Sequence, residues 1–298
     1  MKTKENCLGL DEAACVKTGL KAYQKGKGTP KQTEETVKSR PFDFTYKFDE
    51  NTDMYLDGAN VKRYAHTWSG MWLQYGKHLA ETRNLELFTC EKIIIREITG
   101  QYPKCINATY LNETYLFNCS NIAIISRNTN FSLKYILALL NSSLMSYYFK
   151  KNTAKAERKL FPKIILNDLR LFPIKQISLD QQKPFIDLAD KMLSLNADLQ
   201  KKTTRFISRI KETYDFEKTT QNLENFYKLT FTDFVKELSK VKVKLTMKQK
   251  DELEDYFNDY VKDISELNAS IEATDNEINK LVYKLYNLTD EEIKIIAG

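Results

Sequence analysis

Hydrophobic residues recur along this chain with two different rhythms, and the rhythm changes near its middle. Toward the C-terminus Leu253, Phe257, Tyr260, Ile264, Leu267, Ile271, Thr274, Ile278, Leu281, Leu285 and Leu288 alternate by four and three without a break. A seam of that kind over about five heptads predicts a long helix of coiled-coil character. Phe185, Leu188, Met192, Leu195, Leu199 and Phe206 follow a similar rule, interrupted by Lys202. Long helices are therefore expected near 180–212 and 248–288, folded against each other, with 213–247 as a connecting helical excursion. Leu223, Phe226, Phe234, Val235 and Leu238 give that excursion its apolar face. Earlier in the chain the runs are short. Lys92–Ile98 and Asn121–Ile125 read as strands, with further strands at Tyr110–Phe117, Phe161–Leu166 and the Leu-Phe-Pro-Ile run ending at Ile174. Leu133, Ile136, Leu137, Leu140, Leu144 and Tyr147 mark a buried-face helix that Ser132 can cap.

The breakers divide the same way. Eight of the nine glycines lie at or before Gly100, and every proline lies at or before Pro184. An α+β region of mixed strands and helices over 1–177, followed by an all-helical, antiparallel coiled-coil-like region over 178–298, is the expected architecture.

Charge sharpens this picture. The net charge is +6. Residues 251–298 hold far more acidic than basic side chains, so the preceding body is strongly basic, which suits a polyanionic partner. Five cysteines without CxxC spacing and two histidines offer neither a zinc site nor a disulfide framework, and reduced, buried thiols are expected. With no apolar run of membrane-spanning length and no signal-peptide pattern, a cytoplasmic protein without a membrane partner is expected.

Catalytic machinery is hard to find. An adenine-N6 methyltransferase uses an Asn/Asp/Ser-Pro-Pro-aromatic tetrapeptide, yet all six prolines are isolated. Gly26-Lys27-Gly28 is the one GxG; it follows no apolar strand and fails the phosphate-cradling GxxxxGK[ST] pattern. Glu157-Arg158-Lys159 and Glu292-Ile293-Lys294 match the Glu-x-Lys fragment of a restriction nuclease, but neither follows Pro-Asp. A cryptic nuclease built around Glu157 is the weakest of the readings. No catalytic and no metal-ligating residue is expected.

The order of elements from Phe131 to Asn196 carries a resemblance: an apolar helix, a basic aromatic segment, Phe161-Pro162-Lys163-Ile164, Leu171-Phe172-Pro173-Ile174, then a heptad-patterned helix. It resembles the TaqI-like C-terminal specificity domain of adenine-N6 DNA methyltransferases and of fused type IIG restriction-modification enzymes. It is more distantly similar to type I specificity subunits. The segment Gly19–Gly28 with Pro30, Arg40-Pro41, Trp72–Gly76, Leu79–Arg83 and Phe88–Arg96 resemble further blocks of that family, as do Thr274–Leu285 with Leu288-Thr289. Asp57-Gly58 with Val61-Lys62-Arg63-Tyr64 resembles another, although Asn60 stands where the family usually has Asp. The resemblance implies target recognition on duplex DNA, no bond chemistry in this chain, and an N-terminal methyltransferase domain or subunit as partner. S-adenosylmethionine is then expected only in that partner, and no cofactor here. The rival reading is a coiled-coil protein-interaction module, or a type I-like specificity subunit without independent DNA binding.

Candidate contacts follow from side-chain reach. The basic loop Lys25, Lys27, Lys31, Gln32 and the segment Lys151, Lys155, Arg158, Lys159 are expected to straddle the duplex on its phosphates. Arg63, Arg83 and Arg96 are expected base readers, since Arg pairs bidentately with guanine. Tyr64, Trp68 and Gln74 are secondary candidates.

Overall fold

The structure is a computed structural model that describes residues 6–153 and 162–297. Its first unit is organised by a four-stranded antiparallel sheet in the order Ala14–Thr18, Asn121–Ser126, Lys92–Arg96, Ala108–Leu111. The two middle strands are the isoleucine-rich runs; Ile93, Ile94, Ile95 and Ile124 are fully buried. Ile94 and Ala123 join a core with Leu20, Leu56, Phe88 and Phe117, while the helix Leu133–Leu140 packs against the same sheet. Cover on both faces explains why these strands read as continuous apolar runs rather than as an alternation.

A second sheet orders Leu116–Phe117, Thr52–Leu56, Trp72–Gln74 and Asp43–Phe44, with its first pair parallel and the others antiparallel. Cys7–Gly9 pairs with Pro173–Lys175, and Val61–Lys62 forms a hairpin with Ala65–His66. The strand expected over Tyr110–Phe117 is thus two short strands in different sheets. The strand expected over Phe161–Leu166 is not formed: Lys163 makes an isolated bridge to Ile98, and Leu166–Arg170 is a helix. Phe161 itself lies outside the described residues.

The buried-face helix is broken in two, Leu133–Leu140 and Ser143–Asn152. Ser132 caps the first through a hydrogen bond from Lys134 N, as its position predicts. Ser142 caps the second, accepting from Met145 N. Between them Asn141 ends the first helix, its N–H bonded to Leu137 O. Its side-chain amide exchanges two hydrogen bonds with the backbone of Ala108, at 3.2 and 3.0 Å, and so locks the helix to the edge strand.

The C-terminal region is helical, with Leu179–Tyr214 and Met247–Leu285 as its long members. Compact packing divides the chain at other points than residue 177: Met1–Leu193 with Glu277–Gly298 form one unit, and Ser194–Asn276 the other. The reason is visible in contacts of the first unit. Phe185 meets Tyr135 edge-on at 5.4 Å, Tyr286 donates to Pro173 O at 2.7 Å, and Asn279 Oδ1 accepts from Ser143 N. In the second unit the two helices run antiparallel. Lys202 pairs with Asp263, and Phe206 lies against Tyr256, Phe257 and Tyr260. The excursion folds Leu223, Phe226, Phe234 and Leu238 onto the same cluster, all fully buried. Val235 is not among its members.

Candidate nucleic-acid interface

The loop from Gln24 to Gln32 is a built structure, not a slack turn. Gly26 and Gly28 take φ +77° and +83°, a region that suits glycine. A Cβ at Gly28 would stand 2.4 Å from His78 O. Gly26 N donates to Gln32 O, Gln32 N to Lys27 O, and Thr29 N to Lys77 O. Gln32 holds the loop closed from inside. It is buried, its Nε2 donates to Ala22 O and His78 O at 2.8 Å each, and its Oε1 accepts from Gln24 N. The expected phosphate contact from Gln32 is therefore corrected: both ends of its amide are bonded within the loop.

The lysines of the same loop point outward. Lys25, Lys27 and Lys31 are exposed. Lys25 forms an ion pair with Glu34 in which both groups face solvent, a contact worth little in water. Among the described residues no hydrogen bond or ion pair engages the Lys27 or Lys31 ammonium. Lys77, which the sequence reading passed over, is exposed on the segment that anchors the loop. Only the Thr29 N–Lys77 O bond reveals its place beside the other lysines, and nothing in the local sequence signals it.

Lys151 is exposed on the last turn of Ser143–Asn152, its Nζ 5.8 Å from the Tyr147 ring centroid. Lys155, Arg158 and Lys159 lie outside the described residues, as does Glu157. The glycine loop and Lys151 are held by different elements.

The base-reading candidates separate sharply. Arg63 donates to Asn141 O at 2.6 Å, at the C-terminal end of Leu133–Leu140, where a guanidinium complements the helix dipole. Tyr64 is buried at φ +54°, its N–H bonded to Ala108 O in the turn of the Val61–His66 hairpin. Asp57 and Asn60 close the turn before it, with Asn60 Oδ1 accepting from Asp57 N at 2.7 Å. Thus the motif that resembled a family block is a tight hairpin, tied to Asn141 O by Arg63 and to Ala108 O by the Tyr64 N–H. Trp68 donates to Met71 O and packs on the core. Gln74 donates to Asp49 Oδ2. Arg83 bonds Thr18 O, Thr18 Oγ1 and Thr82 O.

Arg96 differs from the rest. It ends the strand Lys92–Arg96 half-buried; its Nε is buried without a hydrogen-bond partner, as is that of Arg63, but among the described residues no hydrogen bond or ion pair engages the Arg96 guanidinium. Beside it, Gly58 is so close that a Cβ there would lie 3.9 Å from Arg96 Cγ and 3.2 Å from Ser120 Cβ.

Lys92, on the same strand, is fully buried and was not singled out by its sequence position. It donates to Phe88 O, Cys90 O and Glu113 O at 2.8–3.0 Å, and burial pushes its ammonium down to about 8. Three carbonyl acceptors make it an internal staple.

A mixed α/β unit with two four-stranded sheets and two strand pairs, followed by long helices, is thus the class of fold observed. Residues 53–174 match the family described as the TaqI-like C-terminal specificity domain, so the resemblance read from the sequence holds over that segment. Residues 178–282 match a domain of unknown function (DUF8810). Over 165 residues, 53% of this chain, it is 28% identical to a Methanocaldococcus jannaschii protein that bears the name of a type II restriction enzyme and methyltransferase. The match spans 14% of that relative's length. The solved structure of the type IIL restriction-modification enzyme MmeI in complex with DNA is similar in fold, at TM-score 0.53. It covers 97% of this chain and 35% of that chain at 10% identity. A type I restriction-modification structure aligns over 70% of this chain and 43% of that chain, at 13% identity and a TM-score of 0.38.

Proposed function

We propose that this chain is the target-recognition part of a restriction-modification protein, and that it binds duplex DNA. The observation that carries the reading is the TaqI-like specificity match over residues 53–174, which spans both four-stranded sheets in part and includes Arg96. Support comes from Lys27 and Lys31, exposed on a loop whose backbone is fixed from within by Gln32, and from Lys77, exposed on the segment that anchors it. Such lysines act as point charges that displace counterions from phosphates. The likeness in fold to MmeI is consistent with this role.

In the finer reading the partner is an adenine-N6 methyltransferase domain or subunit that holds S-adenosylmethionine and performs the chemistry, while this chain neither methylates nor cuts. Arg96 is the base reader in this account, because its guanidinium is the one least committed to protein acceptors. Lys151 contacts phosphate from another element.

Titration of the chain with random-sequence duplex by fluorescence anisotropy, from low to high salt, tests the reading. Replacing Lys27 and Lys31 by alanine together lowers the salt slope by about two units and weakens all sequences alike. Arg96→Ala relaxes selection at one base position in a binding-site selection experiment, at a cost of roughly 1–3 kcal/mol in discrimination. Indifference of the wild-type chain to duplexes at low salt sinks the proposal.

A further inference from the structure

Residues 42–50 read FDFTYKFDE, with four aromatic residues and no aliphatic one. Phe42 turns inward, stacked on Tyr23 and packed at 4.2 Å on His78. The other three form an external ridge. Phe44 and Phe48 stack with centroids 4.5 Å apart and planes 10° from parallel, and Tyr46 meets Phe44 edge-on at 5.8 Å. Tyr46 is 59% and Phe48 52% exposed. None of the three belongs to the hydrophobic core under the second sheet.

Their support is rigid. Phe44 pairs with Trp72 in the strand ladder. Asp49, just past the ridge, accepts from Asn51 N, Thr52 Oγ1 and Gln74 Nε2 at 2.5–3.0 Å. Asp43, just before Phe44, accepts from Tyr23 Oη and Arg40 Nε. Lys47 is exposed within the ridge. The ridge shares its mount with the glycine loop, since the Trp72–His78 segment carries Phe44 at one end and Gln32 at the other.

Flat rings in a run without an aliphatic residue, interleaved with the exposed Lys47, fit a ligand that is itself a stack of flat rings bordered by anions. Resting on the DNA-binding reading above, we propose that Phe44, Tyr46 and Phe48 form a wedge that stacks on the bases of duplex DNA at an opened base step. Apolar wedges of this kind unstack a step, and base–aromatic stacking is tolerant of sequence. The ridge therefore adds affinity and a preference for deformable steps, without reading base edges. A duplex with a mismatch, which is cheaper to unstack, is bound more tightly than a perfect one.

The full chain is titrated with perfect and singly mismatched duplexes carrying 2-aminopurine, beside the double variant Tyr46→Ala/Phe48→Ala and the conservative Phe48→Tyr. Far-UV circular dichroism controls for folding, which these exposed positions leave intact. Expected are mismatch preference and a 2-aminopurine increase in the wild type, both retained by Phe48→Tyr. In the double variant both are lost, affinity falls about ten-fold or more, and the salt slope is unchanged. Equal binding of perfect and mismatched duplex by wild type and double variant alike overturns the wedge while leaving DNA binding in place. A wild type that binds no duplex at low salt overturns both.

Discussion

Replacing Lys92 by methionine isolates the energetics of one buried cation. The side chain keeps its length and loses its three donors. Cys90 O and Glu113 O, bonded at 2.8 and 2.9 Å in part-buried contacts, lose a charged partner, while Phe88 O, bonded at 3.0 Å, keeps the Tyr115 N–H. A buried acceptor left unpaired costs about 1–3 kcal/mol. The substitution also removes a penalty: the displacement of the ammonium from 10.5 to about 8 corresponds to about 3 kcal/mol against its charged form. With two acceptors left unpaired, the difference leaves a net loss of about 1 kcal/mol. Both tryptophans of the chain, Trp68 and Trp72, lie in the same unit as Lys92, so their fluorescence during urea unfolding reports that unit. A lower midpoint with an unchanged slope is expected. A variant more stable than wild type refutes the staple.

The same group gives a pH signature. The folded state holds the proton less tightly than the unfolded chain, so between about 8 and 10.5 the unfolded state binds more protons and stability rises with pH. Below about 8 both states are charged and the contribution is flat. Relative to Lys92→Met, the wild type gains about 1.5 kcal/mol from pH 8 to 9.5. Parallel profiles contradict the burial of the charge.

Other outcomes follow from single contacts. Phe206→Ala removes a ring stacked on Phe226 at 3.8 Å and lowers helical stability by about 3–5 kcal/mol, read by far-UV circular dichroism during unfolding. Gly28→Ala meets His78 O and a positive φ together and destabilises the loop by well over the about 1 kcal/mol expected for Gly26→Ala, whose Cβ enters open space. Comparable losses at the two glycines count against the packing of the loop on His78. Glu237 is held near 2 by hydrogen bonds from Lys240, Asn222 and Thr220, so its stabilisation is complete above its ordinary value of 4.5. It is lost as pH falls toward 2, and Glu237→Gln flattens that part of the acid-unfolding curve.

The long-helix region was legible because its signal is local: a heptad seam needs only the order of Leu253, Phe257, Tyr260 and Ile264. The isoleucine strands were legible for the same reason. What failed depends on partners far along the chain. Tyr110–Phe117 reads as one strand, yet its halves join different sheets, because Leu116–Phe117 finds Tyr55–Leu56 as a parallel neighbour. Gln32 reads as a polar loop residue, and only the approach of His78, 46 residues later, turns it inward. The Phe44, Tyr46, Phe48 alternation was present in the sequence as a period-two pattern. It was passed over because aromatics in short runs are usually core.

Where the cations are spent bears on how such a surface can discriminate. Arg63, Arg83 and Arg170 all donate to backbone carbonyls, tying a helix end and strands of the large sheet to their neighbours. Guanidinium suits that work, since its fork satisfies two acceptors at fixed angles. Lys25, Lys27, Lys31 and Lys77 stay outside, and a lysine on a phosphate positions a protein without reading sequence. If the chain binds DNA as proposed, direct readout then falls on few groups, with Arg96 foremost. The remainder must come from what the duplex costs to deform, which is the quantity an aromatic wedge senses. Such a division predicts that alanine at Arg96 and alanine at Phe48 relax different things: the first a base identity, the second a preference for flexible steps. Since the two sites share no partner, their effects on binding free energy add. Strong non-additivity between them places both on one contact and contradicts the separation of roles.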